Sequence, residues 1–189
     1  KAYRWLNLKS IAIRSSGAEE DSDKLSFAGQ FESFMNIKTE EEALLMTKKC
    51  WASAYSERSL IYRISNKSHF SVDSMNMAVI FQEMIDADKS GVLFTNDPVS
   101  RDPSKIVINA VSGLGTSLMD GTADSEHYVL DRDKRRVSLT SDQKVLNQSE
   151  LNRLVSLALK VEKKFREPQD IEWVIKGNNF YILQSRSIT

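Results

Sequence analysis

The sequence predicts an α+β fold, because several short strand-like segments accompany only two long amphipathic helical patterns. Its 189 residues suit one domain or two small ones, and a chain of this length can bury a hydrophobic core. Hydrophobic residues make up 41% of the chain and charged residues 28%. This is ordinary usage for a folded globular protein and argues against a disordered one.

Charge and cysteine content exclude several classes of protein. With 26 Lys and Arg against 26 Asp and Glu, the net charge is zero, which argues against a strongly basic nucleic-acid-binding protein. The longest apolar stretches fall short of the ~20 residues that span a bilayer, so no membrane partner is expected. Cys50 is the single cysteine, so an internal disulfide is impossible and a cytoplasmic location is expected. The polar start at Lys1 has neither a secretory segment nor a Met, so we expect a fragment of a longer protein.

The first elements are two strands separated by a polar loop. Residues Ser10–Ser15 alternate, with Ile11 and Ile13 on one face, which predicts a short strand. Residues Ser15–Phe27 are polar and acidic and predict a loop. Residues Phe31–Ile37 predict a second strand.

A helix is predicted from Thr39 to Ile64. Thr39 and Glu42 have the spacing of a capping box, in which each side chain accepts a hydrogen bond from a backbone amide at the start of the helix. Apolar residues at helical spacing form a broad stripe, which we expect to face the core: Leu44, Trp51, Tyr55 and Tyr62, with Ala43, Met46, Cys50 and Ala54 beside them.

Three further strands are predicted in the middle of the chain. They are Met77–Met84, Gly91–Thr95 and Ile106–Ala110. Asn96, Asp97 and Pro98 predict a turn after the second of them, because proline has a fixed φ and no amide donor. A pair of glycines, Gly113 and Gly115, follows the third.

The last third of the chain is predicted to contain two hairpins and a helix. Segments His127–Asp131 and Arg136–Leu139 predict a hairpin around Asp133 and Lys134. Ser149 is expected to cap a helix that runs to Phe165, with its inward face formed by Leu151, Leu154, Val155, Ala158 and Val161. Strands Ile171–Ile175 and Phe180–Ser185 flank a strong turn signal at residues 176–179.

Several familiar chemistries find no motif in this chain. His69 and His127 are far apart and have no cysteine partners, which argues against a zinc site. Neither a G-x-x-x-x-G-K-[ST] phosphate loop nor a G-x-S-x-G nucleophile elbow is present. No catalytic residue is therefore assigned, and the candidates that remain are Arg14 at a strand end and the polar residues of the terminal hairpin.

The length of the terminal turn decides which residues of the hairpin are opposite one another. A loop of two or four residues would place Glu172 opposite Leu183. A three-residue loop, Gly177 to Asn179, pairs Lys176 with Phe180 and therefore Glu172 with Gln184. In that register Arg186 lies two residues farther along the same face.

The oxygens of Glu172 and Gln184, side by side, would suit Mg²⁺, a hard ion that shares its shell with phosphates. The Arg186 guanidinium could then hold a phosphate by paired hydrogen bonds. A polar, solvated sheet face explains the same residues equally well, so both interpretations stay open at this point.

Motifs in a fixed order along nearly the whole chain make the pattern specific. They are Ile11–Asp21 (IAIRSSGAEED), Ser26–Gln30 (SFAGQ), Phe34–Ile37 (FMNI), Trp51–Ser53, Glu57 with Arg58, Tyr62 with Arg63, Met77–Val79, Gln82–Met84, Ser90–Thr95 (SGVLFT), Asp97 with Pro98, Gly113–Gly115, Pro168–Trp173 (PQDIEW) and Leu183–Arg186 (LQSR). Together they resemble the nucleotide-binding domain shared by phosphoenolpyruvate synthase, pyruvate phosphate dikinase and rifampicin phosphotransferase.

This resemblance implies an ATP-grasp-like fold of mixed or antiparallel sheets flanked by helices, which binds ATP with Mg²⁺ between two lobes. Residues 1–75 would form part of the phosphate-side lobe and residues 76–189 the adenine- and metal-side lobe. In such enzymes a phosphoryl or pyrophosphoryl group passes from ATP to a histidine on a separate swivelling domain. It then passes to pyruvate or another acceptor, such as the drug.

Seven residues carry over from the family as ATP-binding residues. The resemblance implies that Arg14 and Arg186 clamp phosphates, that Gly29 lets the loop backbone approach phosphate oxygens, and that Gln82 lies near adenine and ribose. Ser33 stands where threonine is commoner and would donate its hydroxyl. Glu172 and Gln184 would be metal ligands as well.

Some positions depart from the family pattern. The family's Gly-Gly-Lys segment, the phosphohistidine domain and the acceptor domain would lie outside this chain. Thr116 stands where glutamate is usual, Ser187 replaces a proline and Gly17 replaces an alanine. These departures support an alternative hypothesis, in which the chain is a degenerate, non-catalytic nucleotide-binding or regulatory module of the same fold.

Overall fold

The computed structural model describes residues 9–17, 21–22, 25–26, 31–65, 76–115, 125–132, 136–139 and 144–188. The chain divides into two compact units, Lys1–Met84 with Thr189, and Ile85–Ile188. The sequence placed a boundary near residue 75 between two sides of a nucleotide site, and that assignment stays a prediction. The loop expected over Ser15–Phe27 is wrong in part, because residues 15–17 continue the first strand and residues 21–22 pair with residues 25–26. The other residues of that stretch lie outside the described residues.

The first unit contains a three-stranded antiparallel sheet of order β4-β1-β5 and a separate two-stranded ladder, β2-β3. The strands are β1 (Ile11–Gly17), β2 (Asp21–Ser22), β3 (Leu25–Ser26), β4 (Phe34–Ile37) and β5 (Met77–Glu83). Ile11 and Ile13 of β1 are fully buried and pack with Ile37, Ala43 and Cys50. The alternation of the sequence thus set the inward face of β1 correctly.

The predicted helix Thr39–Ile64 is wrong in its extent, because it is two helices, α1 (Glu40–Ser53) and α2 (Glu57–Ser65). Its capping box is confirmed: the Glu42 amide donates to Thr39 Oγ1 over 3.1 Å, and the Thr39 amide donates to Glu42 Oε2 over 3.3 Å. The break follows Ala54, the C-cap of α1. Ser56 Oγ then accepts from the Ser59 amide over 3.3 Å and so stabilises the start of α2.

The apolar stripe predicted to face the core is also wrong in part. Trp51 and Tyr55 are about half exposed, at 49% and 48%, and Leu44 is 60% exposed. Ala43 and Cys50 of the predicted stripe are buried as expected, seven residues, or two helical turns, apart, and Ser53 is buried as well. Because α1 meets the sheet along this narrow strip, the large neighbours lie one residue, or about 100°, around the helix and point away from the sheet.

The second unit is a six-stranded antiparallel sheet of order β11-β10-β6-β7-β8-β9, with helix α3 (Gln148–Phe165) packed on one face. The strands are β6 (Lys89–Phe94), β7 (Lys105–Ser112), β8 (Glu126–Asp131), β9 (Arg136–Leu139), β10 (Gln169–Lys176) and β11 (Asn179–Ser187). The predicted pairing of β8 with β9 is confirmed. The expected α+β class is confirmed too, and every strand pairing within the described residues is antiparallel.

Helix α3 starts two residues earlier than predicted, with Asn147 and not Ser149 as its N-cap. The Glu150 amide donates to Asn147 Oδ1 over 2.9 Å, and the Asn147 amide donates to Glu150 Oε2 over 2.8 Å, so this is a second capping box. The inward face is as predicted, with four residues buried: Leu151, Leu154, Val155 and Ala158. Among the helices described, none is long and apolar enough to cross a membrane.

Candidate functional site

The terminal hairpin has a two-residue loop, so the predicted three-residue loop is wrong. Lys176 pairs with Asn179, and Gly177 takes a φ of 55°, a conformation that suits the first position of a tight hairpin turn. From this turn alone, Glu172 would lie opposite Leu183. A β-bulge intervenes, because Trp173 pairs with Ile182 while Glu172 pairs with Gln184, which leaves Leu183 as the extra residue. The predicted pairing of Glu172 with Gln184 is therefore confirmed, although by a bulge.

One face of β10 supplies the polar groups. Ile171, Trp173 and Ile175 are 1% exposed and pack in the core with α3. Successive side chains of a strand alternate, so Asp170 and Glu172 lie on the opposite face. On the neighbouring strand β11 their partners are Arg186 and Gln184. Two carboxylates, an amide and a guanidinium therefore share one face of this hairpin.

Arg186 forms an ion pair with Asp170. Its Nη2 lies 2.6 Å and its Nε 2.8 Å from Asp170 Oδ2. The Asp170 residue is 8% exposed, whereas the Arg186 side chain is 37% exposed. Asp170 thus holds the guanidinium against the sheet while part of it still reaches solvent. The sequence analysis did not select Asp170, although the register that pairs Glu172 with Gln184 also pairs residue 170 with residue 186.

The row of paired residues that contains Glu172 continues across the sheet and includes further polar side chains. Glu172 pairs with Val92 of β6, Val92 with Asn109 of β7, and Asn109 with His127 of β8. The His127 Nδ1 lies 2.7 Å from Asn109 Oδ1, within hydrogen-bond distance. The sequence argued against His127 as a zinc ligand, and in the structure His127 contacts Asn109.

In the first unit, Arg14 and Gln82 are brought together. Ala12 pairs with Gln82 and Arg14 with Ile80, so Arg14 and Gln82 are diagonal neighbours on one face of the β1–β5 ladder. Arg14 Nη1 donates to Gln82 Oε1 over 3.4 Å, and both residues are half-buried. Ser33 is exposed and directly precedes β4. Gly29 lies outside the described residues.

The predicted site residues thus form two groups. Arg14, Ser33 and Gln82 belong to the first unit, and Glu172, Gln184 and Arg186 belong to the second. That the two groups serve one nucleotide stays a prediction.

The donor set on the hairpin fits a magnesium ion. Glu172 offers carboxylate oxygens and Gln184 an amide oxygen from directly opposite positions, and Mg²⁺ prefers oxygen ligands. Within the described residues, no group of three or more His, Cys, Asp or Glu side chains is arranged to hold a metal. Mg²⁺ in proteins is commonly held by one or two carboxylates and completes its shell with phosphates and water.

The tip of the hairpin is fixed by Asp88. The Gly177 amide donates to Asp88 Oδ2 over 2.7 Å, and Lys176 Nζ lies 2.9 Å from Asp88 Oδ1. The Gly177 amide and then the Lys176 ammonium lower the pKa of Asp88, and the same contact with Asp88 raises the pKa of Lys176. The hairpin is therefore anchored at the end away from Arg186.

A face that presents carboxylate, amide and guanidinium groups together has the kinds of group that a polyanion and a divalent cation bind to. Comparison with known proteins shows the family to which the chain belongs. The protein-family model for the pyruvate phosphate dikinase AMP/ATP-binding domain matches residues 1–141 and 131–189 of this chain. This chain belongs to that family of AMP/ATP-binding domains, so the resemblance read from the sequence is confirmed.

Relatives include a probable phosphoenolpyruvate synthase of Archaeoglobus fulgidus, 36% identical over 95% of this chain and 27% of the relative. A rifampicin phosphotransferase of Bacillus cereus is 32% identical over 94% of this chain and 23% of the relative. A prodigiosin synthesizing transferase of Serratia marcescens is 32% identical over 95% of this chain and 23% of the relative. The chain therefore spans about a quarter of the length of these relatives.

Proposed function

We propose that this chain binds Mg-ATP as the nucleotide-binding part of a dikinase-like phosphotransferase. The enzyme would move a phosphoryl or pyrophosphoryl group to a histidine on a separate domain and then to pyruvate or another acceptor. Family membership supports the nucleotide. The observation that carries the proposal is the opposition of Glu172 and Gln184, with Arg186 next along the same face.

In this proposal, the chain neutralises and orients the polyphosphate. Phosphoryl transfer asks chiefly for charge neutralisation and in-line positioning. Glu172 and Gln184 would hold Mg²⁺, which when bound neutralises charge on the phosphate oxygens. Arg186, oriented by Asp170, and Arg14, oriented by Gln82, would each hold phosphate oxygens through guanidinium N–H groups.

The remaining predicted residues complete the site. Ser33 would donate its hydroxyl to a phosphate, Gly29 would let the backbone come close, and Gln82 would also lie near adenine and ribose. No residue of the chain is given the role of acid or base, since the histidine that receives the group is placed on another domain.

Magnesium-dependent binding tests this proposal. Titration of the 189-residue chain, and of any longer polypeptide that carries it, with ATP and AMP-PNP is made with and without Mg²⁺. Glu172→Gln should weaken binding about tenfold with Mg²⁺, since one charged ligand is lost, and should have little effect without it. Glu41→Gln, at an exposed position on α1, is the matched control and should bind as the wild type does. Binding that is absent in every polypeptide, or equal in Glu172→Gln and wild type, would contradict the proposal.

A second candidate is a non-catalytic nucleotide-binding module of the same fold. The ion pair of Arg186 with Asp170 favours it, because a guanidinium already bound to a carboxylate has fewer N–H groups for phosphate. Thr116 and Ser187, which replace a glutamate and a proline of the family pattern, also favour a non-catalytic module. Exchange of label between ATP and AMP or ADP, catalysed by the full-length protein that carries the chain, would exclude this candidate.

A further inference from the structure

A buried polar cluster in the first unit has no part in the proposed function so far. Cys50, Ser53, Ser59 and Arg63 are between 0% and 5% exposed. Buried polar groups are costly unless they form hydrogen bonds, so the partners of these four side chains indicate what the cluster holds in place.

Two of them hold the backbone of a single residue, Glu32. The Glu32 amide donates to Ser53 Oγ over 3.1 Å, and Cys50 Sγ donates to the Glu32 carbonyl oxygen over 3.4 Å. The Ser53 hydroxyl in turn donates to the Cys50 carbonyl over 2.7 Å, which leaves its oxygen oriented to accept from Glu32. We call these three contacts the Glu32 clamp.

Arg63 supports the clamp from α2. Its Nη1 donates to the Ala54 carbonyl over 3.0 Å and to Ser59 Oγ over 2.9 Å. It thereby caps the end of α1, the turn in which Ser53 lies. The guanidinium carbon also lies 5.8 Å from the centre of the Phe31 ring, so it contacts the residue before Glu32.

The clamp fixes the direction of the next amide. The peptide between Glu32 and Ser33 is planar and trans, since the described residues contain no cis peptide bond. In a trans peptide the C=O and N–H bonds point in opposite directions. Because the Glu32 carbonyl points at buried Cys50, the Ser33 N–H points away from α1, on a residue that is itself exposed.

We propose that Cys50 and Ser53 are positioning residues that aim the Ser33 backbone N–H, together with its hydroxyl, at a phosphate oxygen of the nucleotide. This inference rests on the proposed function, and it adds a backbone donor and two buried residues to the site. A backbone donor fixed before the ligand arrives holds an anion without the cost of ordering a flexible segment.

The test compares nucleotides with and without phosphates. Ser53→Ala should weaken binding of Mg-ATP about fivefold, since a misdirected donor loses most of one hydrogen bond, and should leave adenosine binding unchanged. Ser53→Thr, which keeps the hydroxyl, should restore the affinity for Mg-ATP. Cys50→Ala, which leaves the Ser53 contact in place, should also lower it. Amide hydrogen exchange at Glu32 should speed up in Ser53→Ala, because its acceptor is gone.

Thr47→Ala is the matched control, since Thr47 Oγ1 donates to the Ala43 carbonyl within α1 and does not touch Glu32. An equal loss of Mg-ATP affinity in Thr47→Ala, or an equal loss for adenosine in Ser53→Ala, would mean general loosening and would overturn the inference. Wild-type affinity for Mg-ATP in both Ser53→Ala and Cys50→Ala would overturn it while the proposed function stands. Absence of Mg-ATP binding by the wild type would overturn both.

Discussion

At the scale of single residues, Asp88 of the second unit forms hydrogen bonds through its backbone and its side chain. Its backbone amide donates to the Ile175 carbonyl over 2.9 Å, and its carbonyl accepts from the Gly113 amide over 2.8 Å. Its carboxylate accepts from the Gly177 amide and pairs with Lys176. Asp88 therefore connects the segment directly before β6 to the glycine pair after β7 and to the tip of the terminal hairpin.

The lowered pKa of Asp88 predicts a pH-dependent contribution to stability. A carboxyl group whose pKa is lower in the folded state stabilises that state above its unfolded pKa of about 3.9, and this stabilisation is lost as the pH falls through the folded value. We expect Asp88→Asn to lower the free energy of unfolding at pH 7. The difference from the wild type should shrink as the pH falls below about 4.

Urea unfolding of both proteins from about pH 2 to about pH 7, a range that includes the pKa of carboxyl groups, measures this difference. Asp86→Asn is the control, because Asp86 touches the same Lys176 but is 93% exposed. A difference that stays constant across this range would show that Asp88 acts through its shape and not its charge.

Single residues of the candidate site differ in how well the sequence predicted them. Glu172 and Gln184 were found by counting along the hairpin, although the count assumed the wrong loop. Asp170 was missed although the predicted register already placed it opposite Arg186, because the ion pair between them depends on side-chain positions that a register does not give. The prediction that Arg14 lies at a strand end is wrong, because it is the middle residue of β1. Its contact with Gln82 joins residues 68 positions apart, which local patterns do not reveal.

At the scale of elements, the central strands of the second unit require a glycine. A Cβ at Gly91 would lie 2.0 Å from the Asn109 carbonyl oxygen and 2.6 Å from Trp173 Cζ2. Gly91 pairs with Trp173 on one side and with Ala110 on the other. The indole therefore packs over a position where the sheet has no side chain.

Gly91→Ala should therefore destabilise the second unit by about 3 kcal/mol, because both the strand backbone and the buried indole must move. Thermal or urea unfolding measures the loss. Ser112→Ala, at an exposed end of β7, is the control and should change stability by less than about 0.5 kcal/mol. A Gly91→Ala protein as stable as this control would show that Trp173 can move without cost.

Elements with local signals were predicted well, and those that depend on packing were not. The capping box at Thr39 and the terminal hairpin follow from residues a few positions apart. The break between α1 and α2 was missed, because the apolar pattern continues past Ser56. The Ser56 hydroxyl accepts from the Ser59 amide and so caps the start of a second helix. The buried strip of α1 was predicted incorrectly in part. When a helix is apolar over a broad surface, the sheet determines which side of it is buried, and the helix sequence alone does not.

At the scale of the whole molecule, each unit has its own hydrophobic core. Ile11, Ile13 and Cys50 are among the buried residues of the first, and Leu154 and Trp173 among those of the second. The α+β class followed from the sequence. The pairing of β5 with β1 did not, because the two strands lie far apart along the chain. The assignment of residues 1–75 and 76–189 to two sides of a nucleotide site stays a prediction.

Separate cores predict separate responses to core mutations. Leu154→Ala should destabilise the second unit by about 2–5 kcal/mol, since it removes a fully buried leucine side chain. Amide exchange followed by mass spectrometry should then speed up in Ile85–Ile188 more than in the first unit. Ile13→Ala should give the opposite pattern. Equal acceleration in both units would show that they unfold as one cooperative body.

The bulge at Leu183 makes the opposition of Glu172 and Gln184 insensitive to the shape of the turn. Eleven residues separate the two, and that number accommodates either a two-residue turn with one looped-out residue, as found, or a three-residue turn with none. A slip of the intervening segment of β11 by one position would exchange the first arrangement for the second. Substitutions at residues 176–179 that change the turn would therefore leave Glu172 opposite Gln184.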